Sequence, residues 1–114
     1  MVRNTRPVAW IKAARKDFEA FPLEVQLEAA RALTIIAEGG MPQLAKPLKG
    51  LGSGVMELAL RYRGDAFRVV LALQAGAEIC VIHAFKKKAK AGIKTPQPDI
   101  ELVRERMKRL RKPQ

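Results

Sequence analysis

Alternating apolar and polar side chains run through residues 55–85, and this alternation constrains the fold more than any other feature of the sequence. Two segments alternate and a third is apolar on both faces, namely VMELALRY (55–62), FRVVLALQ (67–74) and ICVIHAF (79–85). A period of two residues predicts β-strands, and the intervening RGDA and AGAE segments have the composition of turns. The sequence therefore predicts a three-stranded antiparallel meander with one solvent-exposed face, on which Glu57, Arg61 and Arg68 lie.

The segments around the meander have helical spacing. The predicted elements are an edge strand at 7–11, a helix at 12–20, a second helix at 23–38 that ends at Gly39-Gly40, and a C-terminal helix after Thr95 with an apolar stripe of Ile100, Val103, Met107 and Leu110. That stripe needs an apolar surface to cover, and the sheet supplies one. We therefore expect a single α+β domain over residues 1–114, with an N-terminal helical hairpin, a three- to four-stranded antiparallel sheet and a C-terminal helix.

Charge indicates the kind of partner. The chain carries 22 Lys or Arg against 11 Asp or Glu, a net charge of +11. Residues 86–114 hold 11 of the basic and 3 of the acidic residues, so this last quarter contributes +8. The lysines at 86, 87, 88 and 90 follow directly after the apolar segment 79–85. Such a cluster solvates a strand end or binds a polyanion, and its position at an element boundary favours nucleic acid.

Several classes of protein are excluded by composition. No apolar run is long enough for a membrane-spanning helix, and the basic start of the chain is not followed by the apolar region of a secretory signal. Cys80 and His83 are the only cysteine and histidine, which excludes an internal disulfide and a cysteine- and histidine-rich zinc site. We expect a cytoplasmic protein that needs no cofactor and no metal.

Two longer stretches carry a family resemblance. AKPLKGLGSGVMELALRYRGDAFRVVLAL (45–73) and VIHAFKKKAKAGIKTPQPDIELVRERM (81–107) resemble the phage-derived RelE/HigB-type toxins of bacterial toxin–antitoxin pairs. The order of KPLKG, FRVV, HAFKKK and KTP carries the likeness, which extends over nearly the whole chain. The resemblance implies the RelE-like fold and cleavage of messenger RNA in the ribosomal A site. It also implies an antitoxin partner, often a helix-turn-helix protein.

The resemblance further implies roles for particular residues. Lysines before the first meander strand match Lys46 and Lys49, and an arginine late in that strand matches Arg61. Ala59 stands where many relatives carry an arginine, and Arg61 lies two residues further on the same strand face. The lysine pair after His-Ala-Phe is intact as Lys87 and Lys88.

A metal-independent ribonuclease of this kind needs a proton acceptor, a proton donor and positive charge around the phosphate. Arginine suits the last role, histidine titrates near neutrality, and a lysine among other lysines has a lowered pKa. The predicted catalytic residues are Arg61, Arg68, His83 and Lys87, and the predicted RNA contacts are Lys46, Lys49, Arg63, Lys86, Lys88 and Lys90. The structural alternatives are a hydrogen-bonded His83 and ion pairs of Arg61 or Arg68 with Glu57 or Asp65.

Two other functions share this fold. One is a ParE-like toxin that poisons DNA gyrase and has no nuclease chemistry. The other is a catalytically weak nucleic-acid-binding remnant, which Ala59 and Leu71 keep open because relatives often carry an arginine and an aromatic residue there. Several cationic and titratable side chains on one sheet face favour the nuclease.

Overall fold

The predicted meander forms the centre of a larger sheet. The computed structural model describes residues 5–87 and 94–111. Its elements are β1 (Val8–Trp10), α1 (Lys12–Glu19), α2 (Leu23–Ala37), β2 (Ala45–Pro47), β3 (Val55–Tyr62), β4 (Asp65–Ala75), β5 (Glu78–Lys87) and α3 (Gln97–Arg111). The strand order is β1-β5-β4-β3-β2, so β4 lies in the middle with two neighbours on each side.

Two short edge strands distinguish the sheet from the predicted one. The α+β class is confirmed, but the expectation of a three- to four-stranded antiparallel sheet is wrong in number and direction. β1 pairs with β5 in parallel, with Val8 opposite Ile79, and β2 pairs antiparallel with β3. β2 is only three residues long and contains Pro47, so it lacks the length and alternation that identify a strand from sequence.

A bulge in β5 sets which side chains reach each face. Val70 pairs with His83 and Leu71 pairs with Val81, so Ile82 is an extra residue on β5. Because of it, Ile82 and His83 both lie on the face that carries Val70, whereas Val81 and Ala84 belong to the core on the other side.

The first face of the sheet packs against α1 and α2. Its core contains Leu58 and Leu60 of β3 together with the inner sides of both helices, and several of these residues have no exposed surface. A row of aromatic rings runs through this layer, formed by Trp10, Phe18, Phe21 and Phe67 with successive ring centroids 4.9, 5.6 and 4.9 Å apart. Trp10 is partly buried and therefore packs against this core.

The second face is covered in part by α3. Val103 and Met107 pack with Val70, Ala72 and Ile82 in a second apolar cluster. Three residues of the predicted stripe, Ile100, Val103 and Met107, thus cover the sheet, whereas Leu110 is 41% exposed. However, the expectation that this face is solvent-exposed is wrong, because Glu57 is buried and the Arg68 side chain is only 11% exposed. Within the described residues, no helix has both the length and the apolar character needed to cross a membrane.

Replacing a buried residue of α3 tests whether this helix contributes to the core. Met107→Ala should reduce the free energy of unfolding by about 2–5 kcal/mol, because Met107 is 6% exposed and a cavity would remain. Leu102→Ala is the matched control, since Leu102 is 37% exposed and its loss should cost about 0.5 kcal/mol or less. Chemical denaturation followed by circular dichroism measures both. Equal losses would show that α3 is not packed as described.

Candidate nucleic-acid interface

Three neighbouring strands place polar residues on the face that α3 shares. Cross-strand register puts Ala59 opposite Arg68 and Arg68 opposite Phe85, while Arg61 and Lys87 both lie opposite Ala66. Paired residues in an antiparallel sheet project to the same side. All four predicted catalytic residues therefore lie on this face: His83 pairs with Val70, and Arg61, Arg68 and Lys87 lie toward the end of the sheet nearest the β3–β4 turn.

Arg68 is held by an acidic neighbour on β3. Its guanidinium lies 3.1 Å from the Glu57 carboxylate, and both side chains are about nine-tenths buried. The second carboxylate oxygen of Glu57 accepts a hydrogen bond from the Thr95 hydroxyl, just before α3. Among the described residues, the Nε of Arg68 is a buried polar atom with no hydrogen-bond partner. This is the ion pair with Glu57 that the sequence left open, and it partly offsets the charge of Arg68.

His83 is fixed on both sides of its ring by α3. Nε2 lies 2.7 Å from the Asp99 carboxylate, and Arg106 donates to Nδ1 at 3.3 Å and to the Ile82 carbonyl at 2.8 Å. Because arginine is only a donor, Nδ1 must accept, so the proton sits on Nε2 and is donated to Asp99. The ring also stacks on Phe85, with centroids 4.9 Å apart. His83 has the hydrogen bonds of a structural histidine, and a role as general base requires one partner to leave.

Lys87 has the most perturbed environment of the predicted catalytic residues. The residue is 3% exposed, at the end of β5. Burial lowers the pKa of its ammonium group, the charges of Arg68 and Arg61 lower it further, and the Glu57 carboxylate opposes the shift. The direction agrees with the lowered pKa expected for a lysine of this cluster. The cause differs, because burial and two arginines act on Lys87.

The other predicted residues are spread around this face. Arg61 is exposed at the end of β3, and Lys46 lies opposite Glu57 in the β2–β3 pairing with its side chain exposed. Lys49 is exposed two residues after β2. Arg63 adopts a positive φ of 50° in the β3–β4 turn, and its guanidinium lies 5.2 Å from the Tyr62 ring centroid. Arg61 and Lys46 thus extend the cationic face toward solvent.

Lys86, a predicted RNA contact, does not lie on the face that carries Arg61, Arg68 and Lys87. It pairs in register with Phe67, a core residue of the first face, and its Nζ is 3.3 Å from the Asp65 carboxylate. Its side chain therefore starts from the face opposite Lys87. Lys88 and Lys90, also predicted contacts, lie outside the described residues.

Four residues that the sequence did not identify as site residues complete the arrangement: Glu57, Thr95, Asp99 and Arg106. Thr95, just before α3, binds Glu57 of β3, and Asp99 of α3 binds His83 of β5. A carboxylate diagonal to an arginine on the neighbouring strand is visible in the sequence only once the register of β3 and β4 is known. Within residues 5–87 and 94–111, no group of three or more His, Cys, Asp or Glu side chains is placed to hold a metal ion.

Comparison with known proteins gives the family and the fold of this chain. A family model described as phage derived protein Gp49-like matches residues 16–108, so the chain belongs to the phage-derived Gp49-like family. Among solved structures, the E. coli toxin RelE, a mutant in the free state, is similar to this chain with a TM-score of 0.62. The two share 20% sequence identity over 92% of this chain and 97% of RelE, which shows a RelE-like fold. Comparison with curated proteins finds no match.

Removing one cationic neighbour tests the electrostatics of Lys87. Arg61→Gln should raise the pKa of Lys87, because the Arg61 charge disfavours the ammonium form. The Lys87 side chain is followed by NMR titration of its Cε and Nζ signals. Arg15→Gln, on the exposed side of α1, is the matched control and should leave that titration unchanged.

The lowered pKa of Lys87 also determines whether its contribution to folding stability rises or falls with pH. The pKa of Lys87 is lower in the folded chain than its ordinary value of 10.5, so the unfolded chain binds more protons between the two values. Lys87 therefore adds stability as the pH rises through that interval. A Lys87 that titrates at its ordinary value in the folded chain, or that responds equally to both arginine substitutions, would contradict the described site.

Proposed function

We propose that the chain is the toxin of a bacterial toxin–antitoxin pair and that it cleaves messenger RNA on the ribosome without a metal ion. Membership of the Gp49-like family and the RelE-like fold support the toxin assignment. The observation that carries the nuclease proposal is the position of Lys87, which is buried beside the charges of Arg68 and Arg61. A lysine in that setting releases its proton more readily than an ordinary lysine.

The proposed reaction assigns a separate task to each residue. The ribose 2′-hydroxyl gives its proton to a solvent water molecule as its oxygen bonds to the adjacent phosphorus, and the bond from phosphorus to the leaving 5′ oxygen breaks. Arg61, which is exposed, binds a phosphate oxygen and stabilises the charge that develops there. Lys87 donates its proton to the leaving oxygen, and the Arg68 charge favours that release. His83 positions the site by holding Asp99 of α3 against β5.

The RNA backbone reaches this site over a cationic track. Lys46 and Lys49 lie beside it on the β2 edge and are exposed. Arg63 lies at the adjoining turn. Long, flexible cations at an edge follow phosphates without reading sequence, so they contribute affinity and salt dependence. Lys86, Lys88 and Lys90 belong to the same proposal as contacts near the end of β5.

A catalytically weak nucleic-acid-binding protein is the second candidate, and the Glu57–Arg68 pair favours it. The charge of Arg68 is partly offset by its neighbour, and both nitrogens of the His83 ring are already hydrogen-bonded. In this case the chain binds ribosomes or RNA in a salt-dependent manner and leaves the RNA intact. Binding without cleavage in the same reaction therefore separates the two candidates.

Cleavage is tested with purified protein, translating ribosomes and end mapping of the messenger RNA. The native chain should create new RNA ends only when ribosomes are present. Arg61→Gln should lower single-turnover cleavage by about 100–1,000-fold, the usual effect of removing one donor that stabilises developing negative charge. Lys16→Gln on α1, an exposed residue on the other side of the sheet, removes the same charge and should cleave normally.

One outcome would contradict the nuclease, and another would contradict the role of Arg61. If no new RNA ends appear while DNA gyrase supercoiling is inhibited, the chain is a gyrase poison. If Arg61→Gln and Lys16→Gln reduce cleavage equally, the effect is one of net charge and Arg61 has no specific role.

The proposed partner is an antitoxin with an acidic segment that covers the cationic face. A net charge of +11 favours fast, salt-sensitive association with such a segment. Co-expression with the product of the neighbouring gene should give a stable complex and relieve growth arrest. Stopped-flow measurements should show an association rate that falls steeply with salt, and an association rate independent of salt would contradict an electrostatic contact.

A further inference from the structure

The outer side of α2 carries an apolar stripe that covers nothing in the described structure. Leu23 is 65% exposed and Leu27 is 50% exposed, and neither residue belongs to a core cluster. Ala30 and Thr34 continue the stripe and are also exposed. The Thr34 hydroxyl donates to the Ala30 carbonyl at 3.0 Å, so its polar group is satisfied within the helix and its methyl group remains for contact.

The spacing of this stripe is that of a helix-pairing seam. Leu23, Leu27, Ala30 and Thr34 are separated by four, three and four residues, which keeps them on one side of the helix over two heptads. The opposite side of α2, with Val25, is buried against the sheet. α2 is therefore apolar on two sides, and only one of them is used by the fold.

We propose that this seam binds the same seam of a second copy of the chain, with the two α2 helices antiparallel across a two-fold axis. The side chains of the seam are large in its N-terminal half and small in its C-terminal half. Antiparallel pairing places Leu27 opposite the partner subunit's Ala30 and Leu23 opposite the partner subunit's Thr34. Large residues then meet small ones at every layer, which is the condition for close helix packing.

The charges beside the seam fit the same arrangement. Glu24 and Arg31 are exposed, lie on the same flank of the seam and are seven residues apart. In an antiparallel helix pair, flanking positions of this type face each other across the interface. Glu24 then meets the partner subunit's Arg31, and the two-fold axis repeats the contact. Glu24 also lies near Tyr62, and a carboxylate has acceptor sites for both partners.

Net charge favours this surface over any other for self-association. Two copies at +11 each repel one another wherever their basic residues face. α2 contains Glu24 and Glu28 against the single basic residue Arg31, so it is an exception to that repulsion. The helix has 15 residues and spans about 22 Å, so a two-helix interface is small and we expect dissociation on the order of micromolar.

The first test blocks the seam and compares it with an exposed apolar residue elsewhere on the helix. Sedimentation equilibrium of the native chain over a range of concentrations should show a monomer–dimer equilibrium. Ala30→Glu should make the chain monomeric at every concentration, since a charged side chain replaces the small residue opposite Leu27. Ile35→Glu is the matched control, because Ile35 is 43% exposed but lies off the seam, and it should dimerise as the native chain does. Circular dichroism confirms that each variant is folded.

The second test reverses the flanking charges and fixes the orientation of the pair. Glu24→Arg and Arg31→Glu should each weaken the dimer at least about tenfold, because each places two like-charge pairs across the interface. The double variant should recover most of the native affinity, since the same pairs form with their charges exchanged. Parallel helices do not bring these positions together, so recovery is specific to the antiparallel arrangement.

Several outcomes overturn the proposal. The proposal is wrong if the native chain stays monomeric at all concentrations. It is also wrong if Ala30→Glu leaves the dimer intact, or if Ile35→Glu disrupts the dimer as much as Ala30→Glu does. Failure of the double charge reversal to restore the dimer rejects the antiparallel geometry. If Ala30→Glu instead abolishes binding of the product of the neighbouring gene to a chain that is monomeric throughout, the seam binds that partner and not a second copy.

Discussion

The cross-strand ion pair between Glu57 and Arg68 constrains everything built on the second face of the sheet. Taking two charges out of water costs several kcal/mol per ion, and only close pairing and further hydrogen bonds offset it. The pair is 3.1 Å apart, and Thr95 supplies a further hydrogen bond. The chain must therefore return to this point of the sheet after β5, which fixes where α3 begins. The apolar residues of α3 then cover the other half of the face.

The two faces of the sheet differ in polarity. The face against α1 and α2 is filled with apolar side chains and a row of four aromatic rings, and none of its core residues is charged. The face against α3 mixes the smaller apolar cluster with Glu57, Arg68, His83 and Lys87. Buried charges are costly in a core but give a face its electrostatic character. A rigid apolar layer behind them keeps the strands in place.

Much of the fold was predictable because it follows from local periodicity. The observed α2 and β3 agree with the predicted elements to within a residue, and Gly39 ends α2 with a φ of 96°. Periodicity does not show which distant segments pair, so the short β2 and the parallel contact of β1 with β5 were missed. The burial of Glu57 and Arg68 was missed for the same reason, since it depends on where α3 packs on the sheet. The position of Arg61 on the cationic face followed from strand alternation alone.

The single extra residue in β5 has a consequence for how such a site changes over time. Ile82 shifts everything after it by one position, so His83, Phe85 and Lys87 turn toward α3. Deleting Ile82 itself would leave Val81 opposite Leu71 and His83 opposite Val70, so the polar groups would keep their face. If Ile82 instead paired with Val70 in a regular ladder, Lys86 would take the place of Lys87 and His83 would point into the apolar core. A register shift of one residue in this strand thus exchanges an entire set of polar groups at once, whereas point substitutions change them one at a time.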